Sequence, residues 1–187
     1  GGHQMGDLDR GRLYRIAPPN TPYKTPKLDV TTPETAVQAL RSPNASTRYL
    51  AWRAIQNFGA QAVSALKTLS QDEQAHLRAR AYWAWGKIPG QATAAVAAAA
   101  ADSDPENRVL AIRLADQTAV PHDSYFSKLL IDESAAVRRQ LAISLRFHMD
   151  DDMPNRWAAL AQQYDGEDRW YLEALGIGAE RRWDECF

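Results

Sequence analysis

From Thr32 onward, apolar residues recur with the period of an α-helix, and one pattern returns every 30 residues. In the stretch STRYLAWRAIQNFG, residues three, six and seven places after Arg48 lie on one face of a helix. A fifth copy is predicted to begin at Arg169, one residue late. The copies in between begin at Arg78, Arg108 and Arg138.

The apolar positions of these copies predict the core. Three and six places after the arginines stand Ala51, Ala81, Ala111, Leu141, Leu172, and then Ala54, Ala84, Leu114, Ser144, Leu175. The intervening segments repeat as well, with Ala36, Leu66, Val96 and Phe126 at one register. Each unit is therefore predicted to be a helix, a tight polar turn and a second helix. A fixed period of this kind is typical of a solenoid of stacked helical pairs.

An aspartate stands six residues before three of the arginines, at Asp72, Asp102 and Asp132. The signatures of tetratricopeptide and ankyrin repeats are absent. The step from the aspartate to an arginine that leads the second helix resembles the HEAT repeat, in a short-period form similar to bilin-lyase-type repeats. We therefore expect an all-α fold, a right-handed, armadillo-like α-solenoid of about five HEAT-like helical hairpins over residues 31–187.

The recurring arginines call for a physical reason, because the helix dipole disfavours a cation near a helix N-terminus. A guanidinium fork can bind the aspartate of the turn and the carbonyl groups that end a neighbouring first helix. We interpret the set as a structural ladder, with ligand binding as the alternative. Its members are Arg48, Arg78, Arg108, Arg138, Asp72, Asp102 and Asp132.

Residues 1–30 have a different character, being rich in proline and lacking the helical pattern. The run GRLYRIAP predicts a short β-strand over Gly11 to Pro18, followed by a proline-rich linker. The strand would belong to an upstream sheet; a disordered tail is the alternative. Thr32 is predicted to cap the first helix, with Pro33 at its first position.

Composition and motifs exclude several functions for this segment. The formal net charge of −1 does not suggest a nucleic-acid partner. The longest apolar run, Ala92 to Ala101, is too short to span a bilayer, so no membrane contact is expected. Cys186 is the sole cysteine, which leaves no Cys-based zinc site or CxxCH haem site in these residues. With no catalytic motif either, we predict that the segment is not an enzyme and holds no cofactor.

One acidic run superficially suggests a metal. HMDDDMPNRW contains His148 and three aspartates, Asp150 to Asp152. We favour Asp152 as the cap of a helix that begins near Pro154. A calcium loop would need further spaced oxygen ligands and a turn glycine. No metal ligand is therefore predicted.

A candidate partner surface lies on the exposed face of the second helices. Trp83 stands five residues after Arg78, and the equivalent positions hold Arg53 and Arg113. Tryptophan and arginine dominate interface hot spots, and the second helices of such arrays commonly line the concave surface. Alternatively, Trp83 packs under the proline-rich tail or an adjacent domain, or has no binding role.

Three stretches resemble one family: DRGRLYRIAP with the proline linker and first repeat, RARAYWAWGKIPG, and DGEDRWYLEALGIGAERRWDECF. They are similar to the middle of large membrane-bound dehydrogenases of planctomycete-type bacteria. In that family a β-propeller ends in a G-R-I/L-Y-R-I strand, HEAT-like repeats follow, and a cytochrome c domain carries a CxxCH haem site.

The resemblance implies a multidomain fragment, cut at both ends, that links a dehydrogenase-like propeller to a haem c domain of a larger protein. It implies an extracytoplasmic location, periplasmic or in the cell envelope. The partners would be the adjacent propeller and cytochrome domains, or a peptide or protein on the concave face. The alternatives are a free-standing protein-binding module and an enzyme of the bilin-lyase type.

Overall fold

The computed structural model describes residues 16–22, 27–148 and 150–186, and these contain eleven α-helices and no β-strand. The first helices of successive pairs are α1 (Pro33–Ala39), α3 (Val63–Leu69), α5 (Ala92–Ala99), α7 (Phe126–Leu130) and α9 (Met153–Ala161). The second helices are α2 (Ala45–Phe58), α4 (Ala75–Gly86), α6 (Pro105–Thr118), α8 (Ala135–Ser144) and α10 (Arg169–Gly178). A short helix, α11 (Trp183–Cys186), follows and contacts α9. Short 3₁₀ turns occupy Gly59–Ala62, His122–Ser124 and Leu145–Phe147.

The helical pairs stack in chain order. Each first helix contacts the second helix of its own pair, and the second helices contact one another in succession from α2 to α10. The buried apolar residues form one continuous cluster along the stack. A single pair has too little surface to bury its own apolar face, and stacking supplies the rest. The predicted all-α, HEAT-like solenoid is confirmed.

Most predicted core positions are confirmed. The residues three places after the first four arginines, Ala51, Ala81, Ala111 and Leu141, are fully buried. In the first helices, the register of Ala36, Leu66, Val96 and Phe126 is buried as well. In α5, Ala95 and Ala99 belong to the core, whereas Ala94 and Ala97 are exposed.

The register predicted for the fifth unit is wrong. Leu172, expected in the core, is 54% exposed, and the side chain of Arg169 is 81% exposed. The N-cap of α10 is Asp168, which lies 34 residues after the N-cap Ser134 of α8, whereas the earlier N-caps are 30 residues apart. The longer connection places Leu172, not Arg169, at the fourth position after the cap, where the earlier units have their arginine. The core of this unit contains Leu175, as predicted, together with Tyr171 and Ala174.

The start of the solenoid has the predicted cap. Thr32 Oγ1 accepts a hydrogen bond from the backbone N–H of Thr35 at 3.2 Å, and Pro33 begins α1. Val30 packs against the core just before this cap. The strand predicted over Gly11 to Pro18 falls mainly on residues outside the described ranges. The boundary between residues 30 and 31 stays a prediction.

Within the described ranges, the structure contains no helix that is long and apolar enough to cross a bilayer.

Candidate functional site

Two arginines connect consecutive helical pairs through buried ion pairs. The guanidinium of Arg78 donates two hydrogen bonds to the carboxylate of Asp102, at 2.8 and 2.7 Å. Arg108 repeats this arrangement with Asp132, at 2.6 and 2.9 Å. In both pairs, the aspartate belongs to the turn of the following unit, 24 residues further along the chain. We call these two pairs the arginine–aspartate ladder.

The same guanidinium groups also hold their own turns. Arg108 Nη1 donates to the carbonyl oxygens of Asp102 and Ser103, both at 3.0 Å, and Arg78 makes the corresponding bonds to Asp72 and Glu73. These carbonyls follow the first helix of the arginine's own pair, not of a neighbouring one. Each ladder arginine therefore fixes the turn within its unit and the contact with the next unit.

The turn aspartates also accept backbone hydrogen bonds within their own turns. Asp102 Oδ1 accepts the N–H of Asp104, and Asp72 and Asp132 accept the N–H two residues ahead in the same way. Burial alone would raise the pKa of Asp102, but the hydrogen bonds from Arg78, from the Asp104 N–H and from the Tyr82 hydroxyl outweigh it and lower the pKa to about 2. The charged carboxylate is thus the form that the fold stabilises.

The outer arginines of the set bind differently. Arg48 donates to the carbonyls of Ser42 and Pro43, at 2.9 and 2.7 Å, while Asp72 is bound by Arg41 at 2.5 Å. Arg138 donates to the carbonyls of its own turn and lies over the ring of Tyr171 at 5.7 Å. Its buried Nε has no hydrogen-bond partner among the residues that the structure describes.

The acidic run after α8 surrounds one arginine. Asp150 and Asp152 lie 3.4 and 3.0 Å from Arg156, which also binds Asp123. Asp152 is the N-cap residue of α9, but its carboxylate accepts no backbone N–H of the helix, contrary to the predicted capping role, and instead accepts the side-chain amide of Asn155 at 3.2 Å. These carboxylates thus have a structural partner in Arg156.

A buried polar cluster lies beside this arginine. The rings of His122 and His148 stack at 3.9 Å, and Ser144 Oγ lies 3.3 Å from His122 Nε2. Burial, with smaller contributions from His148 and Arg156, lowers the pKa of His122 to about 3. His122 is therefore neutral at ordinary pH.

The exposed side of α2, α4 and α6 carries an open groove of about 430 Å³, which we call the aromatic groove. Tyr49 and Trp52 come from α2, Trp83 from α4 and Leu110 from α6. The remaining lining residues are Leu40, Arg48, Ala79 and Arg80. Tyr49 is 57% exposed and stacks on Trp52 with ring centroids 6.4 Å apart.

Trp83 is also part of a second hollow of about 550 Å³, formed mainly by α4 and α6. Its lining includes Arg113 and two acidic residues, Asp104 and Glu106. The structure therefore brings together two of the three predicted surface residues, Trp83 and Arg113. Arg53 is exposed on α2 but lines neither depression.

Sequence reasoning singled out Trp83 but missed four other groove residues: Tyr49, Trp52, Arg80 and Leu110. A comparison of the units, position by position after each repeated arginine, could have identified them. Arg80 stands two places after Arg78, where the other units have Leu50, Leu110 and Gln140. Arg80 is the one basic residue at a position that is apolar or an amide in the other three of these units, and this difference from the repeat pattern was visible in the sequence.

Residues 33–115 match the family model of HEAT repeats. The matched range runs from α1 through most of α6 and includes the first rung of the ladder and the aromatic groove. This part of the chain is a HEAT-like repeat region, and α7 to α10 continue its helical pairing. A comparison with curated proteins gave no match. HEAT repeats fit a scaffold or protein-interaction role.

Proposed function

We propose that the chain is a non-catalytic scaffold and protein-interaction segment that links a dehydrogenase-like β-propeller to a haem c electron-transfer domain within a larger protein. The observation that carries the interaction role is the aromatic groove on the second-helix face of a HEAT-like stack. The three stretches that resemble the planctomycete-type dehydrogenases support the linking role, the haem c on a neighbouring domain and the extracytoplasmic location.

The ladder suits such a linker. Its arginines join consecutive pairs by bidentate ion pairs with 10–14% exposed arginine side chains, so bending between these pairs would break buried charge contacts. A stiff segment keeps two attached domains at a defined separation, which an electron-transfer arrangement requires.

The neighbouring coding sequence tests the linking role. We expect a β-propeller whose last strand is the one predicted over residues 11–18 and, downstream of Phe187, a domain with a CxxCH motif. Expression of the longer protein should give a covalently bound haem with a c-type absorption spectrum. A start codon near Gly1 together with a stop codon after Phe187 contradicts the linking role.

A free-standing binding module is the second candidate, and the groove is the observation that favours it. A photoreactive phenylalanine analogue at Tyr49, placed in the protein as its gene encodes it, separates the two. Cross-links to an adjacent domain of the same chain indicate that the groove is filled by domain packing. Cross-links to other proteins, with none from the same analogue at Trp170, indicate an interaction module.

A further inference from the structure

We propose that the aromatic groove binds a protein segment in which a large apolar side chain stands next to a carboxylate. This inference rests on the interaction role proposed above and specifies its partner. It depends on two guanidinium groups, Arg48 and Arg80, that border an apolar groove and have no carboxylate partner among the described residues.

The missing partner of Arg48 has a clear cause. At the equivalent positions of the next two units, Arg78 and Arg108 each bind the aspartate of the following turn. The aspartate in that place for Arg48 is Asp72, and Arg41 binds it instead. Arg48 makes its two bonds to backbone carbonyls, and no carboxylate of the described residues pairs with its positive charge.

Arg80 adds a second positive charge beside the first. Its Nη1 donates to the carbonyl oxygen of Leu40 at 2.7 Å, across from α4 to the end of α1. Partial burial lowers the pKa of Arg80, and the neighbouring charge of Arg48 lowers it further. Two like charges that are partly removed from water attract an anionic group, and a guanidinium fork matches the geometry of a carboxylate.

The apolar lining specifies the other half of the ligand. Tyr49, Trp52, Trp83 and Leu110 come from three successive second helices, so a ligand must run across the helices to reach them all. A volume of about 430 Å³ admits one or two large side chains. Solenoids bind extended partners along such surfaces, and these residue types dominate protein interfaces, which favours a protein segment over a small molecule.

The surroundings of the groove set the direction of the bound segment. Asp104 and Glu106 line the second hollow, which shares Trp83 with the groove, and they would repel a carboxylate there. The acidic residue of the partner is therefore placed at the Arg48 and Arg80 end, with the large apolar side chain against Tyr49, Trp52 and Trp83.

The test is a selection from a display library of random short peptides on the immobilised full chain. Enriched peptides are synthesised with a fluorophore and titrated by fluorescence anisotropy. We expect an Asp or Glu within two residues of a Trp, Phe or Leu. Replacing that acid by its amide should weaken binding about tenfold, and Arg80→Gln should weaken binding of the acidic peptide by a similar factor. In the Arg80→Gln variant the difference in affinity between the acid and amide peptides should shrink, because only Arg48 then remains beside the acid, and this coupling assigns the contact to Arg80.

Matched substitutions control for surface effects. Tyr49→Ala should weaken binding about tenfold, while Trp170→Ala, at a ring 70% exposed on α10, should leave it unchanged. Arg169→Gln, at a side chain 81% exposed, is the control for Arg80→Gln. Thermal melting of each variant distinguishes lost binding from lost folding.

Several outcomes overturn the inference. No enrichment, enriched peptides without an acidic residue, or affinity insensitive to Arg80→Gln would each do so. Sedimentation equilibrium covers a further case: a dimer that Tyr49→Ala dissociates would identify a second copy of the chain as the occupant. A chain that binds no peptide although its gene encodes the propeller and haem domains refutes this inference and keeps the linking role. If the chain binds such a peptide but its gene encodes neither the propeller nor the haem domain, the linking role is refuted and this inference is kept.

Discussion

Replacing Arg108 by alanine is the most direct perturbation of the arginine–aspartate ladder. The side chain is 10% exposed and makes four hydrogen bonds: two to the carboxylate of Asp132 and two to backbone carbonyls. The Asp132 carboxylate, with 7% of its side chain exposed, would keep only the N–H of Ser134 as a hydrogen-bond donor within the described part of the chain. Removing one member of a buried ion pair costs several kcal/mol, because the other charge is left uncompensated.

We expect the free energy of unfolding to fall by about 3 kcal/mol, at the lower end of that range because water can enter beside the partly exposed pair. In a chain of this size, such a loss corresponds to a fall of about 6 to 12 °C in melting temperature. Circular dichroism at 222 nm follows the melting, and urea denaturation at neutral pH gives the free energy.

Two further variants calibrate this value. Arg48→Ala removes two bonds to carbonyls but no ion pair, and should cost about 1 kcal/mol. Arg169→Ala removes an exposed contact with Glu173 and should cost close to nothing. The ladder interpretation is refuted by an Arg108→Ala variant that melts like Arg169→Ala. Repeat arrays also unfold in steps, so each transition is compared separately.

Three other predictions follow from buried contacts. The pKa of Asp102 is lowered to about 2, so the stability that its charged form contributes is present above pH 4 and is lost as the pH falls towards 2. We expect Asp102→Asn to be less stable than the parent at neutral pH. Between pH 4 and pH 2, its free energy of unfolding, measured by urea titration, should fall by about 2 kcal/mol less than that of the parent. The pKa of His122 is lowered to about 3, so the fold favours the neutral ring, and the free energy of unfolding should fall by about 2 kcal/mol between neutral pH and pH 5. In ¹⁵N NMR spectra, His122 should stay neutral down to about pH 4. Protonation of His122 near pH 6 would contradict this prediction. Gly178→Ala places a Cβ 2.4 Å from the carbonyl oxygen of Ala142 and should destabilise the fold by about 1 to 3 kcal/mol. Gly176→Ala is the control, because the nearest atom to its Cβ, on the ring of Trp183, is 3.7 Å away. In thermal melts it should be neutral or stabilising by up to about 1 kcal/mol.

The helical pairs were predictable because their signal is periodic. Four units share a 30-residue step, and a buried position in one unit therefore identifies the corresponding position in the others. The fifth unit was misassigned because Arg169 stands near the expected place, while the chain between α9 and α10 is longer. The position of the N-cap Asp168 fixes the true register of this unit. Aspartate is also common outside helix N-termini, so the sequence alone did not identify Asp168 as the cap.

The partner of each arginine was not predictable in the same way. Asp72 is bound by Arg41, while Arg48 donates to backbone carbonyls of its own turn. The sequence contains both arginines without a sign of the outcome. The same holds for Arg138, since the longer connection before α10 displaces the next aspartate and leaves Tyr171 against the guanidinium.

The contrast between repeated and unrepeated residues separates the scaffold from the candidate site. The alanines, the arginines and the turn aspartates recur because every unit must satisfy the same stacking contacts. Tyr49, Arg80 and Trp83 have no counterpart of the same type in the other units, yet they lie in one groove with Trp52, whose counterpart in the next unit is Tyr82. Stacking does not require these side chains, since the other units pack with different residues at the same registers. Their convergence from α2 and α4 on one groove is therefore better explained by a ligand that spans these two helices than by the stability of the solenoid.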